Sequence, residues 1–152
     1  MTTTINPEEL TKLVGTVLGE SAWRTVSQDD INLFAQATDD HQYIHVDAEK
    51  ASTTPFGGTI AHGLLTLSLL PALAENILPR LTGQTISINY GFDKVRFINP
   101  VPSNSRIKAT FRLLEAAQRD STSYLMRHEV TVHLEGNDKP ALVADWLSLA
   151  VL

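Results

Sequence analysis

Residues 63–78 read Gly63-Leu64-Leu65-Thr66-Leu67-Ser68-Leu69-Leu70-Pro71-Ala72-Leu73-Ala74-Glu75-Asn76-Ile77-Leu78. On a helix drawn through this stretch, apolar side chains fall nearly all round the axis. That pattern predicts a helix buried on most sides rather than one lying on a surface. Pro71 has no N–H to give to the preceding turn, so a kink or the end of a first segment is expected there. From Thr85 the character changes. Ile86, Ile88 and Tyr90 alternate with polar positions, as do Val95 and Phe97, and residues 107–114, 124–134 and 142–151 are long enough for full strands of period two. Asn99-Pro100-Val101-Pro102, Arg119-Asp120-Ser121 and Gly136-Asn137-Asp138-Lys139-Pro140 read as the turns between them. Helices first and antiparallel strands after predict an α+β domain. A helix apolar on most sides needs cover, and a curved sheet wrapped round it supplies that cover.

Upstream, residues 7–13 read as a short helix with acidic residues in its first turn, and residues 23–26 as a short strand. Ser27 followed by Asp30 is a capping-box-like pair. Ile31, Phe34, Ala35 and Thr38 then share one helical face. The helix is expected to end near Thr38, because Asp39-Asp40-His41-Gln42 carries no apolar period. Residues 47–52 read as a further helical turn, and Pro55-Phe56-Gly57-Gly58 as a loop.

The chain has 152 residues, read as one domain over 1–152. A domain of that size buries enough surface to fold without metal or disulfide. Hydrophobic content of 43% and charged content of 19% are those of an ordinary globular protein. A net charge of −5 and the lack of any basic run argue against a nucleic-acid partner. There is no Cys, which excludes disulfides, thiolate metal sites and Cys nucleophiles. The opening segment has no basic stretch followed by an apolar core, so no signal peptide is read there. The longest uncharged apolar run, from Gly63 to Ala74, is too short for a membrane span, which needs roughly 20 residues. A cytoplasmic location with no membrane partner is the expectation.

Two segments carry chemistry. Thr38-Asp39-Asp40-His41-Gln42-Tyr43-Ile44-His45 places a carboxylate and an imidazole five residues apart in a polar turn. Together such groups can hold one water and move its protons. In Ile60-Ala61-His62-Gly63-Leu64-Leu65, Gly63 opens the apolar run. A backbone N–H at a helix start can face a developing negative oxygen, and Gly allows close approach. These are the parts needed to add water across a polarised double bond or to remove it. The duller alternatives are a solvated turn in which Asp40 caps a helix, and a packing Gly between loop and helix.

This architecture with these motifs resembles the hot-dog fold, and more closely the MaoC-like dehydratases, or (R)-specific enoyl-CoA hydratases, in their NodN-like branch. The family pattern runs Gly-Asp-x-Asn-Pro-(Leu/Ile)-His, then a loop, then Ala-His-Gly at the start of the central helix. Asp40, Ile44 and His45 match the first element, and Ala61-His62-Gly63 the second. Val95-Arg96-Phe97-Ile98-Asn99-Pro100-Val101 resembles the strand and turn after the helix. Asp39 replaces the family Gly, Gln42 the Asn and Tyr43 the Pro.

The resemblance implies hydration of a trans-2-enoyl thioester of CoA or acyl-carrier protein to a (3R)-hydroxyacyl product, without metal or cofactor, by a homodimer. His45 would be the base, Asp40 would hold water and deliver a proton, and Gly63 would be the oxyanion donor. Gln42, Tyr43, His62, Asn89 and Arg96 are candidates for contact with substrate. His62 also has a structural reading, since neighbours on a helix point in different directions. Ser68 stands in no Gly-x-Ser-x-Gly elbow, so a serine hydrolase is not expected. His128 and His133 fall within strand patterns and read as ordinary sheet residues. A hot-dog thioesterase and a non-catalytic acyl-ligand binding module are the competing functions.

Overall fold

The computed structural model describes residues 3–152; Met1 and Thr2, part of the opening segment read above, lie outside the described residues. The chain adopts the expected α+β hot-dog arrangement. Helices α1 (Pro7–Leu10), α2 (Gln28–Thr38), α3 (Tyr43–Val46), α4 (Ala48–Ser52), α5 (Gly63–Ser68) and α6 (Leu70–Ala74) occupy the first half. The long strands β5 (Ile86–Phe97), β6 (Ser105–Asp120), β7 (Ser123–Leu134) and β8 (Leu142–Val151) follow. Two short strands, β2 (Val17–Glu20) and β3 (Arg24–Val26), both pair with β6. The antiparallel sheet runs β2-β6-β7-β8-β5. A separate two-residue parallel pair joins β1 (Thr4–Ile5) to β4 (Arg80–Leu81). No helix is long and apolar enough to cross a membrane among the described residues.

The α2 start is as the sequence predicts. Ser27 Oγ accepts from Asp30 N, and the Asp30 carboxylate accepts from Ser27 N, both at 3.1 Å. Ile31 and Ala35 of the predicted face are buried, while Thr38 is exposed and turns its hydroxyl back to Phe34 O.

The central helix departs from expectation in two ways. It stops at Ala74, so Ile77 and Leu78 lie beyond it, and Leu64 at its start is 59% exposed rather than covered. Pro71 interrupts it because Leu67 O loses its N–H partner there. Leu69 between α5 and α6 is itself right-handed helical, and Leu73 N still donates to Leu69 O at 3.0 Å. The two pieces therefore run on as one interrupted helix.

The inner face of the sheet covers this helix. Ile107, Ala109 and Phe111 on β6, Val130 and Val132 on β7, and Leu142, Ala144 and Trp146 on β8 pack with Leu65, Leu69, Leu70 and Leu73 in one core. Burying each such aliphatic or aromatic side chain stabilises by roughly 1.5–3 kcal/mol. The outer face carries ion pairs instead, among them Arg106 with Glu135 and Arg127 with Glu115. Such exposed pairs add little stability.

The residues read as separate alternating pieces at 86–90 and 95–97 form one strand, β5. Register shifts between Asn89 and Gly91 and between Phe92 and Lys94 break the alternation, which is why the pattern looked divided. The 119–121 turn is tighter than read, since β6 continues to Asp120 and β7 resumes at Ser123.

His128 lies within strand β7, as read, and on its buried face. It points inward, 1% exposed, with its ring 6.0 Å from that of Trp146. Burial pushes its imidazole down to about 4, against a smaller opposing effect of the Trp146 backbone. A folded-state pKa below the unfolded value means the unfolded chain takes up a proton first as pH falls. Stability should therefore drop between about pH 6.5 and pH 4, by roughly 3 kcal/mol for this group. Urea unfolding across that window should show a shallower pH slope in His128→Gln than in the parent. An identical slope in both would remove His128 as the cause. His133 faces the other way, its Nε2 2.9 Å from Thr110 Oγ1.

Candidate active site

The turn after α2 is built at helix ends. Asp39 closes α2 in the left-handed conformation, φ 56°. This is where the family pattern has Gly, and Asp is among the few other residues that tolerate it. Gln42 is the N-cap of α3 without a side-chain cap bond, and Tyr43 is its first residue. Asn is a strong N-cap and Pro is favoured at the first helical position. The three departures from the family pattern thus fall on capping positions, and Asp40 and His45 keep their places in it.

One turn of α3 turns His45 inward, 7% exposed. Three bonds pin it there. His45 O accepts from Gln28 Nε2 at 2.8 Å, Ile60 N donates to Ile44 O at 3.0 Å, and His45 Nδ1 lies 2.7 Å from Ile60 O. A nitrogen facing a carbonyl carries the hydrogen, so Nδ1–H donates and Nε2 keeps its lone pair. Burial pushes the His45 imidazole below its usual range; the charge of His62 acts the same way, against the Ile60 bond and the Asp40 carboxylate. The neutral, basic form is favoured.

The segment that supplies Ile60 O also supplies the second motif. Ala61 N donates to Val101 O at 2.8 Å, and His62 is the N-cap of α5. The His62 ring stacks on His45, centroids 3.8 Å apart and planes 24° apart. His62 Nε2 lies 3.0 Å from Asp40 O. Gly63 begins α5, and its N–H, as a first-turn donor, has no acceptor within the helix. A Cβ added at Gly63 would lie 2.8 Å from Phe97 Cδ1.

A cavity of about 400 Å³ opens on these groups. Asp40, His45, His62 and Gly63 line it, with Thr66 and Asn99 as further polar groups and Phe56, Ile98 and Val101 among its apolar walls. The sequence motifs did not mark Phe56 or Thr66, and Phe97 was noticed only as part of a strand. One nitrogen from each histidine and one Asp40 oxygen lie within 4.8 Å of one another. That span has room for one water among the three side chains. One nitrogen of each ring already faces a backbone carbonyl, His45 Nδ1 that of Ile60 and His62 Nε2 that of Asp40, so few donors remain for a cation.

Four candidate contacts lie elsewhere. Gln42 and Tyr43 are exposed and do not line this cavity. Asn89 lines a second cavity, of about 500 Å³, beside Pro71, Ala74 and Trp146 at the far end of α6. Arg96 is exposed and turns its guanidinium to Val95 O. His41 does not join the cavity lining; its ring is 3.9 Å from the Asp39 carboxylate.

Known proteins share both the sequence and the shape. The family model described as a MaoC like domain matches residues 9–134. Nodulation protein N of Rhizobium meliloti is 47% identical over 96% of this chain and 91% of its own length. The 3-hydroxyacyl-thioester dehydratase Z of Mycobacterium tuberculosis is 45% identical over 90% of each chain. An R-hydratase of Pseudomonas aeruginosa superposes with a TM-score of 0.70 at 28% identity, over 91% of this chain and 81% of that one. With the Asp40–His45 and Ala61-His62-Gly63 segments meeting at one cavity, and similarity running along nearly the whole chain, this protein belongs to the MaoC-like dehydratase family.

Proposed function

We propose that the protein adds water across the double bond of a trans-2-enoyl thioester, and catalyses the reverse loss of water from a 3-hydroxyacyl thioester. The observation that carries this reading is the fixed tautomer of His45 beside Asp40 in the cavity. With Nδ1–H committed to Ile60 O, Nε2 is the free base. It takes a proton from water as the water oxygen bonds to Cβ. Asp40 orients that water, receives the proton that His45 has taken and passes it to Cα. One water thus supplies both the hydroxyl and the hydrogen, the C=C π bond is replaced by new C–O and C–H bonds, and both side chains return to their starting states. Negative charge develops on the thioester oxygen and is met by the Gly63 N–H. With α5 only six residues long, the local donor matters more than any helix dipole. The (R)-hydratase and dehydratase names of the relatives favour a (3R)-hydroxyacyl product carried on CoA or acyl-carrier protein.

Incubating the protein with short, medium and long enoyl-CoA substrates, and following loss of enoyl absorbance, tests the reaction and its chain-length range. Free CoA released without hydration would identify a thioesterase instead. Saturable acyl-CoA binding without turnover would identify a binding module.

We further propose a homodimer. Strand β5 forms one edge of the sheet, and its Ile86, Ile88, Tyr90, Phe92 and Phe97 are 38–54% exposed. A long apolar edge with unpaired backbone groups invites pairing with a second copy. Light scattering at micromolar concentration should give about twice 16.7 kDa. A monomer mass would contradict the dimer.

A further inference from the structure

Asp40 is poorly held by its own segment. Its side chain is 52% exposed, and its local contact is a long one, Gln42 N to Oδ1 at 3.4 Å. The firmer tie comes from another element: His62 Nε2 lies 3.0 Å from Asp40 O and 4.0 Å from Asp40 Oδ2. The same ring stacks on His45 at 3.8 Å and is backed by Phe34 at 4.9 Å. Facing a carbonyl, Nε2 must carry the hydrogen, and the buried Nδ1 has no partner among the described residues. His62 is 3% exposed. One buried side chain therefore touches both members of the pair, and its hydrogen-bonding nitrogen is turned to Asp40 rather than to a proton acceptor in the cavity.

We infer that His62 is the positioning residue of the site, anchoring Asp40 through its carbonyl oxygen and clamping the His45 ring by stacking. The inference rests on the hydration reading. A one-ångström misplacement of a catalytic group costs on the order of 100-fold in rate, and among the described residues the other bond to the Asp40 side chain is the long Gln42 N–Oδ1 contact.

The test compares His62→Gln, whose amide N–H can reach the place of Nε2, with His62→Leu, which fills similar space without a donor. Expected is a kcat loss of about 100-fold in His62→Leu with little change in KM, and recovery of at least about tenfold of that loss in His62→Gln. If His62→Leu does not fold, His62→Asn replaces it, since its shorter amide cannot reach Asp40 O. Equal kcat in the donor and donor-less variants, at wild-type level or equally reduced, overturns the inference. So does a loss confined to KM. The carbonyl carbon shift of Asp40, read by NMR, reports the anchor without turnover: it should move in His62→Leu and much less in His62→Gln. A wild-type protein inactive on every enoyl thioester would sink the hydration reading, while that shift still decides whether His62 holds Asp40.

Discussion

Asp40→Asn and His45→Gln are each expected to lower kcat by about 10²–10⁴-fold, the usual contribution of one general acid or base. The fold should survive. The Asp40 side chain is about half exposed and anchored mainly through its backbone. Gln at 45 forfeits the Nδ1–H bond to Ile60 O, but Ile60 N still donates to Ile44 O and Gln28 Nε2 to the carbonyl of residue 45, and these backbone ties hold α3 to the loop before α5. What each variant loses is one end of the same proton path. Because both act on one water, the double variant should cost much less than the product of the singles. Steady-state kinetics with an enoyl-CoA, alongside melting temperatures, decide the matter. Near-parental turnover in either single variant would remove that residue from the mechanism. The acid limb of the kcat profile should also lie below the ordinary imidazole range, because burial favours neutral His45. Activity should fall as pH drops through that limb, as the base takes up its proton.

Gly63→Ala is expected to lower kcat/KM by an order of magnitude or more. An oxyanion donor is worth roughly 2.7–4 kcal/mol, and misplacement forfeits a large part of that. The physical cause is specific. The new methyl would meet the Phe97 ring at 2.8–3.0 Å, closer than real contacts allow. Phe97 is 51% exposed, so its ring can swing aside rather than unfold the core. In doing so it leaves the cavity wall beside Gly63 and reshapes the space in which the thioester would meet the Gly63 N–H. Ala61→Gly, one methyl removed from the same loop, should cost far less. Trimming the neighbour tests the cause: Gly63→Ala combined with Phe97→Ala should recover melting temperature but not turnover if the donor position matters. A Gly63→Ala protein that melts early yet hydrates at the parental rate would reduce Gly63 to a packing residue.

The sequence discloses this site unevenly. Asp40, His45 and Gly63 stand out because their types and spacings match the family motifs, and the fold brings all three to one cavity, where their proposed roles await test. The α2 cap was legible because Ser27 and Asp30 bond locally. The partner that fixes the tautomer of His45 was not, since it is the backbone carbonyl of Ile60, and any residue supplies a carbonyl. Phe97 was hidden because its approach to Gly63 depends on β5 returning across the end of α5, a contact 34 positions away in the chain. The burial of His128 was not legible, because strand alternation gives two faces without saying which is inner. The two-residue β1 and β4 pair lies below the length at which any pattern can be seen. Asp39, Gln42 and Tyr43 stand where the family pattern has Gly, Asn and Pro. Their meaning emerged only once the turn was seen to be a helix C-cap, an N-cap and a first helical position.

The most direct test of the central claim is the fate of oxygen from the solvent. The wild-type protein is incubated with a trans-2-enoyl-CoA in water enriched in the heavy oxygen isotope, and the products are weighed by mass spectrometry and resolved by chirality. Hydration by Asp40 and His45 predicts an intact (3R)-3-hydroxyacyl-CoA carrying one heavy oxygen at C3. Heavy oxygen in a free carboxylate with CoA released, or substrate recovered unchanged under conditions where it binds, would contradict the account.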